Sequence, residues 1–145
     1  MSVHIREFEP GDYDAALALW SAAEGVVLRD ADTREAIERY LARNPGTSFV
    51  AVDGARVVGT VLAGHDGRRG FVHHLTVAPT HRRHGVGRAL AERAIAALDA
   101  LGIRKCHLMV LPENTGARAF WAASGWHERP DVVLMSYAPI DAPNA

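Results

Sequence analysis

The chain has 145 residues, and 48% of them are apolar, which is enough for one packed core. Its formal net charge is −1 with neutral histidines, so it lacks the strong basic excess that is typical of general nucleic-acid-binding proteins. Cys106 is the only cysteine, no apolar run approaches membrane-spanning length, and "MSVHIREF" is not a secretory signal. We therefore expect one cytoplasmic domain over residues 1–145. We expect it to bind neither nucleic acid nor membrane.

The first half of the chain predicts one strand followed by two helices. "VHIREF" alternates and predicts a strand, and "PGDYDAALALWSAAEG" predicts a helix with Tyr13, Leu17 and Trp20 on one face. "DTREAIERYLARNPG" predicts a second helix, in which Asp32 as the cap and Glu35 three residues later form a capping-box pattern.

The second half predicts strands that alternate with helices. "SFVAVDGARVVGTVLAG" predicts a hairpin around "DGA", and "GFVHHLTV" predicts a further strand. The helix "GVGRALAERAIAALDALG", the strand "RKCHLMVL", the helix "NTGARAFWAASGW" and a closing strand "VVLMSY" follow, with room for one more short strand near Trp126. The pattern favours an α/β fold: a mixed, mostly antiparallel sheet with helices on both faces and one parallel strand–helix–strand unit.

The stretch "RRHGVG" combines positive charge with two glycines at a predicted helix start. Glycine lets the backbone approach a ligand closely, and free amide groups at a helix start favour anions, so the stretch points to a phosphate-bearing ligand. A dinucleotide-binding loop is disfavoured because the third glycine of its motif is missing, and a P-loop lacks its lysine. A basic surface turn that caps a helix is the remaining alternative.

The longer stretch "LTVAPTHRRHGVGRAL" resembles the acyl-CoA pyrophosphate loop of the GNAT N-acetyltransferase superfamily. That loop has Arg/Gln-x-x-Gly-x-Gly/Ala after a strand that ends in V-x-P, and Val77, Pro79, Arg82, Gly85 and Gly87 match it. "VAVDGARVVGTVLAG" is similar to the central hairpin of the family, and "ENTGARAFWAASGW" is similar to its last helix. Bacterial single-domain enzymes grouped with ribosomal-protein alanine N-acetyltransferase look nearest.

The resemblance implies an acetyl-CoA-dependent N-acetyltransferase with a GNAT-type fold. Its acceptor would be a primary amine of a small molecule, an amino acid or a peptide or protein N-terminus, attacking directly in a ternary complex. The pantetheine arm would pair with the strand before the loop, and the last helix would line its far side. The residues expected to bind the cofactor are Leu75, Thr76, Val77, Arg82, Arg83, His84, Gly85, Val86, Gly87, Arg88, Ala89, Asn114, Ala117, Phe120 and Trp121.

The candidate catalytic residues are His73 and His74, on the strand before the loop. Only about one lysine-type amine in 2,500 is neutral at pH 7, so a base is useful. Neighbouring strand side chains point to opposite faces, so both histidines can serve one site only if a bulge intervenes. The H-x-L-x-V pattern of some family members selects His73, and a packed, purely structural histidine is the alternative. Phe71 stands where many members have a glutamate.

Two further positions bear on the chemistry. Trp121 stands where the family has a tyrosine that protonates the leaving thiolate, and an indole has no proton to give, so we expect Trp121 to be a wall of the channel. His81 and His84 have a spacing seen in metal sites, but the arginines around them would repel a cation, so we expect no metal.

The acceptor is expected to contact the segment between the first two helices, with "GHDGRRG" opposite it. The candidate residues are Trp20, Glu24, Arg29, Asp66 and Arg69, and ordinary surface charge is the alternative for each of them. Two other functions stay open: a non-catalytic acyl-CoA-binding regulator of the same fold, and a module that binds nucleic acid or phosphoprotein through its basic loop. Relatives often dimerise through the late strands, so a homodimer is possible.

Overall fold

The computed structural model describes residues 2–145, which form five strands and four helices. The strands are β1 (Val3–Glu7), β2 (Phe49–Asp53), β3 (Arg56–His65), β4 (Gly70–Val77) and β5 (Cys106–His107). The helices are α1 (Tyr13–Ala22), α2 (Arg34–Arg43), α3 (Val86–Ala100) and α4 (Thr115–Ala123). Single turns of 3₁₀-helix lie at Pro10–Asp12, Asp30–Asp32 and Pro79–His81. Within residues 2–145, no helix has the length and apolarity that crossing a bilayer requires.

The strands form one sheet in the order β1-β2-β3-β4-β5. Neighbours from β1 to β4 are antiparallel, and β4 pairs with β5 in parallel across α3. The mixed, mostly antiparallel sheet and its single parallel strand–helix–strand unit are therefore confirmed. The hairpin around "DGA" is also confirmed, with Gly54 at a φ of 63° in its turn.

The sheet has an apolar layer on each face. One layer joins α1 and α2 to the sheet and contains Trp20, Ile37 and Leu62. The other layer packs α3 and the last helix on the opposite face and contains Leu90 and Trp121. The predicted face of the first helix is confirmed, because Trp20 is fully buried and Tyr13 is 7% exposed. Helices therefore cover both faces, as the sequence predicts.

The predicted closing strand is wrong. Residues 132–137 form no strand, and the side chains of Val133 and Met135 are 85% and 88% exposed. The preceding strand is also shorter than predicted, because β5 pairs with β4 only at Gly70–Cys106 and Phe71–His107. The two segments are not paired beyond that point, and a strand of two residues offers too short an edge for a further strand to pair along.

The cap of α2 and the possible strand near Trp126 also differ from the prediction. Thr33, not Asp32, caps α2, and its hydroxyl accepts a hydrogen bond of 3.2 Å from the Ala36 amide. The Asp32 carboxylate turns instead toward the sheet. No strand forms at Trp126, whose amide donates to the Trp121 carbonyl at 3.0 Å and so closes the end of α4.

Candidate functional site

The glycine loop lies between the end of β4 and the start of α3. Gly85 is the residue before the helix and has a φ of 79°, a left-handed conformation that favours glycine. Its carbonyl accepts the first helical hydrogen bond, from Ala89 at 3.0 Å. The amides of Val86, Gly87 and Arg88 lie in the first turn, where a helix leaves its N–H groups without an internal acceptor. This end of α3 is suited to an anion.

The loop is held by contacts that leave most of its positive charge available. The Arg82 side chain donates through Nε to the Val77 carbonyl at 3.1 Å, which ties the loop to the last residue of β4. His81 is paired with Asp53 at 2.8 Å, so it fixes the loop to the β2–β3 hairpin. Arg88 contacts Glu92 one turn along α3 at 2.9 Å, in an exposed pair that adds little stability.

A cleft of about 1300 Å³ extends from this loop along β4. Its walls are β4, the segment that follows β5, and α4. Thirteen of the fifteen predicted cofactor-binding residues line it, and only His84 and Ala89 do not. The lining residues that the sequence analysis missed are chiefly apolar: Val26, Val27, Leu108, Met109, Val110, Leu111, Pro112, Gly116 and Leu134. No polar motif marks them, and such residues are indistinguishable from core positions in a sequence.

The far wall of the cleft is formed by α4 and by the loop after α1. The Asn114 side chain caps α4 by accepting a hydrogen bond of 3.1 Å from the Ala117 amide. A Cβ on Gly25 would lie 2.5 Å from the Asn114 side-chain nitrogen, so a larger residue there would displace the Asn114 side chain from this position. Phe120 and Trp126 both pack edge-on against Trp121, with ring centroids 5.1 Å away in each case. Trp121 is therefore a fixed aromatic wall.

The residues present fit a ligand with a phosphate group and a long neutral arm. A Cβ on Gly87 would lie 3.5 Å from Val77 Cγ2 and 3.8 Å from the Phe120 ring. The absence of a side chain at Gly87 keeps the gap between β4 and α4 open next to the first turn of α3. Phosphate oxygens would be held by the loop amides with Arg82 and Arg83, and the arm would lie between β4 and α4.

A β-bulge in β4 brings both candidate histidines to the same face of the sheet. Leu62 on β3 is opposite His73, and Thr60 is opposite Thr76, so one residue of β3 faces two of β4. His74 has a φ of 50°, which is uncommon for a residue other than glycine. The two imidazole centroids lie 6.5 Å apart, and both residues line the cleft. The bulge that two histidines in one site require is therefore present.

His74 is held by contacts on three sides. Its Nε2 lies 2.7 Å from Asp32 Oδ1, and both side chains are mostly buried, at 17% and 12% exposed. Its ring packs on the Trp20 indole with centroids 4.8 Å apart. Its carbonyl accepts a hydrogen bond of 2.8 Å from the Thr60 hydroxyl, which in turn accepts from Trp20 Nε1 at 2.9 Å. Aspartate, indole and hydroxyl together fix the ring and its backbone.

His73 lies in a drier environment than its neighbour. Burial lowers the pKa of His73, the adjacent His74 lowers it further, and the Asp32 carboxylate partly opposes both effects. Its ring meets Tyr40 of α2 edge-on, with centroids 6.4 Å apart. Burial also raises the pKa of the Tyr40 hydroxyl. At neutral pH, His73 is therefore an uncharged ring that can accept a proton.

The five predicted acceptor-binding residues lie in different parts of the fold, and only one of them lines the cleft. Glu24 lines the cleft. Trp20 is fully buried and hydrogen-bonded to Thr60, so its side chain does not reach the cleft. The Arg29 amide donates to Asp32 in the turn before α2. Asp66 and Arg69 lie in the turn between β3 and β4, at the opposite end of β4 from the glycine loop.

The Asp66 turn is internally satisfied. Its carboxylate accepts hydrogen bonds of 2.8 Å from the amides of Arg68 and Arg69, and these bonds lower the pKa of Asp66. Neither Asp66 nor Arg69 lines the cleft. The carboxylate therefore shapes its own turn, which an aspartate in that position commonly does.

Comparisons with known proteins identify the family of the chain. Residues 13–126 match the Acetyltransferase (GNAT) family. An acetyltransferase of Pectobacterium atrosepticum is 37% identical over 113 residues, which are 77% of this chain and 79% of that protein.

Two solved structures have the same fold at low sequence identity. One is the Paia N-acetyltransferase of Thermoplasma acidophilum in complex with coenzyme A, at 16% identity and a TM-score of 0.73, covering 86% of this chain and 89% of that one. The other is the ribosomal-protein-S18-alanine N-acetyltransferase of Escherichia coli, at 20% identity and a TM-score of 0.72, covering 88% and 79%. By its family match and its 37% identical relative, the chain belongs to the GNAT acetyltransferase family, whose cofactor is acetyl-CoA.

Proposed function

We propose that this protein is an acetyl-CoA-dependent N-acetyltransferase that acts on a primary amine by direct attack in a ternary complex. The observation that carries the proposal is a single cleft lined both by the glycine loop and by the two bulge histidines. An anion site and a proton acceptor thus lie along one channel. A purely structural histidine pair would not need to face the channel that begins at a phosphate-binding turn.

The chain's own residues would bind the cofactor and handle the proton of the amine. When bound, acetyl-CoA supplies a thioester whose carbonyl carbon accepts the amine nitrogen, while the C–S bond breaks and its electron pair stays on sulfur. An amine that arrives as an ammonium ion first gives one proton to His73 or His74. Such a base typically contributes about 10²–10⁴-fold to the rate.

The second proton of the amine would pass to solvent, and one proton from solvent would go to the sulfur, so the exchange balances. A thiol with a pKa of about 8–9 leaves tolerably as the thiolate near neutral pH, so water can supply that proton. Trp121 lines the cleft but offers only an indole N–H, which can donate a hydrogen bond without giving up its proton. We therefore assign Trp121 to the channel wall and leave the protonation of sulfur to solvent.

The acceptor is a primary amine of a small molecule, an amino acid or a peptide N-terminus. Glu24 supports this assignment because, within residues 2–145, it is the one carboxylate that lines the cleft, and it would attract an ammonium group. The apolar Val26 and Val27 lie next to it in the same wall. We place the reaction in the cytoplasm, where the single cysteine would stay reduced. The protein could carry it out as a monomer or as a homodimer.

A thiol-release assay tests the proposal. The protein is incubated with acetyl-CoA and a panel of amino acids, polyamines, aminoglycosides and short peptides, and free CoA is measured with a thiol reagent. We expect CoA release that depends on one class of amine. Binding of acetyl-CoA by calorimetry without release by any amine would favour the non-catalytic acyl-CoA-binding regulator. Salt-sensitive nucleic-acid binding that CoA does not displace would favour the phosphate-binding module instead.

A further inference from the structure

The only close contact of the His74 ring with a carboxylate in residues 2–145 is the one with Asp32, 42 positions earlier in the chain. We infer that Asp32 is a positioning residue that fixes the tautomer and orientation of His74, so that Nδ1 is the nitrogen that accepts the proton of the amine. The catalytic part of this inference rests on the proposed function. The tautomer itself can be measured whether or not an acceptor is known.

Asp32 is itself immobilised. Its Oδ2 accepts a hydrogen bond of 2.9 Å from the Arg29 amide, which leaves Oδ1 directed at His74. Its main-chain carbonyl accepts a hydrogen bond of 2.6 Å from the Tyr13 hydroxyl. With one carboxylate oxygen and the main-chain carbonyl each held by a hydrogen bond, Asp32 loses little further freedom when it orients a neighbouring ring, so it is suited to a positioning role.

The carboxylate is kept ionised although it is mostly buried. Burial by itself raises the pKa of Asp32, but the hydrogen bonds from His74 and from the Arg29 amide outweigh it and lower the pKa overall. An ionised carboxylate can only accept a hydrogen bond, so its partner must carry a proton on Nε2. In neutral imidazole the other nitrogen is then the basic one, and it has no hydrogen-bond partner within residues 2–145.

Packing and backbone geometry restrict the rotation of the ring that would exchange its two nitrogens. Trp20 covers one side of it at 4.8 Å between centroids, and the bulge fixes its backbone at a φ of 50°. The charged and titratable groups that act on this ring are Asp32 from the turn before α2 and His73 on the same strand, and the Tyr13 hydroxyl lies behind Asp32. Helix α1 presents the uncharged Trp20.

His73 is the competing base, and its surroundings differ in one decisive respect. It meets the Tyr40 ring and is desolvated, and no carboxylate is hydrogen-bonded to it within the described part of the chain. A base backed by a carboxylate forms its imidazolium at lower cost than an unsupported ring in a dry site, because the opposite charge stabilises the protonated form. The contact with Asp32 therefore singles out His74 as the ring that is oriented to accept a proton.

Nuclear magnetic resonance of the histidine ring nitrogens tests the inference directly. We expect the long-range ¹H–¹⁵N pattern of His74 to show the Nε2–H tautomer at neutral pH. Asp32→Asn keeps the shape of the side chain but can donate an amide hydrogen to Nε2, so the ring proton should move to Nδ1. Asp53→Asn is the matched control: it breaks the other close His–Asp pair, His81–Asp53 at 2.8 Å, and should leave the His74 signals unchanged.

Kinetics with an amine found by thiol release form the second arm. Asp32→Asn should lower kcat/KM for the amine by about tenfold or more, within the range of a general-base contribution, and leave the KM for acetyl-CoA within about twofold. Asp32→Glu should recover part of the loss and part of the Nε2–H signal. A global structural role for Asp32 would instead change acetyl-CoA binding and the amine reaction together.

The outcomes separate this inference from the proposed function. An Nδ1–H tautomer in the wild type, or a His74 pattern that Asp32→Asn does not alter, would overturn the inference even in an active enzyme. If no amine supports thiol release but the tautomer shifts as expected, the acetyltransferase proposal fails while the Asp32–His74 pairing stands. Full activity of Asp32→Asn at every pH tested would overturn the positioning role.

Discussion

The Thr60 hydroxyl donates a hydrogen bond of 2.8 Å to the main-chain carbonyl of His74, the residue that carries the bulge. The same hydroxyl accepts a hydrogen bond from the Trp20 indole at 2.9 Å, and Thr60 and Trp20 are both fully buried. One hydroxyl thus satisfies a helix side chain and a strand backbone at once. It connects α1 to the point where β4 leaves regular pairing.

We expect Thr60→Val to destabilise the protein by about 1–3 kcal/mol, because a buried donor and a buried acceptor each lose their partner while the side-chain shape is kept. Urea unfolding measures the effect. Thr60→Ser retains the hydroxyl and should recover most of the hydrogen-bond contribution. A valine variant as stable as the wild type, with unchanged His74 resonances, would mean that the hydroxyl does not anchor the bulge.

Gly87→Val should weaken acetyl-CoA binding severely and leave the fold intact. Its methyl groups would enter the gap between Val77 and Phe120, where a Cβ alone already makes van der Waals contact at 3.5 Å and 3.8 Å. Gly87→Ala adds only that Cβ and should bind with an intermediate affinity. Calorimetry with acetyl-CoA measures the series, and circular dichroism checks folding. An unchanged affinity in folded Gly87→Val would remove this gap from the cofactor site.

His73→Gln should change how stability depends on pH. Because burial lowers the pKa of His73, the unfolded chain binds more protons than the folded one below the ordinary histidine pKa of about 6.5. The wild type therefore loses stability as the pH falls from about 6.5 toward the lowered folded pKa, and a glutamine removes this contribution.

Urea unfolding at several pH values between 5 and 7.5 checks the sign. The stability deficit of His73→Gln relative to the wild type should be smaller at the acid end than at the neutral end. His127→Gln, at an exposed residue outside the cleft, controls for the substitution. A deficit that grows toward acid would show that His73 gains rather than loses protons on folding.

Trp121→Phe should keep kcat within about tenfold and mainly raise the KM for acetyl-CoA, because the indole supplies contact area and not a proton. Trp121→Tyr should give no large recovery of rate. Steady-state kinetics with the amine from the thiol-release panel separate the two parameters. A loss of several orders of magnitude in kcat with cofactor binding intact would contradict this view and assign the indole N–H to the transition state.

The sequence predicted the sheet, the four helices and the glycine loop because each has a strong local signal. Apolar periodicity marks the helices, and the spacing of Gly85 and Gly87 after Val77 marks the loop. The contact of Asp32 with His74 has no such local signal, because the residues next to Asp32 in the sequence are those of a helix start. Thr33, one residue later, is an equally good cap, and local chemistry could not choose between them.

The closing strand shows the opposite error. "VVLMSY" has the β-branched and aromatic residues of a strand, but a strand also needs a partner edge. Here β5 is only two residues long, so the edge that a closing strand would need is too short. The local strand propensity of residues 132–137 is real, but the tertiary structure gives this segment no partner strand.

The bulge can also be described as an insertion. If His74 is left out of the count, Val72, His73, Leu75, Thr76 and Val77 alternate between the two faces as an uninterrupted strand would, with contacts to the α3 layer at Val72, Leu75 and Val77. The alternation of the strand therefore determines which face carries His73 and which residues face the cofactor cleft. His74 is the one inserted residue of the bulge. A single-codon deletion at position 74 would remove the base, the contact to Asp32 and the left-handed backbone together, and would leave a strand whose remaining side chains keep their places.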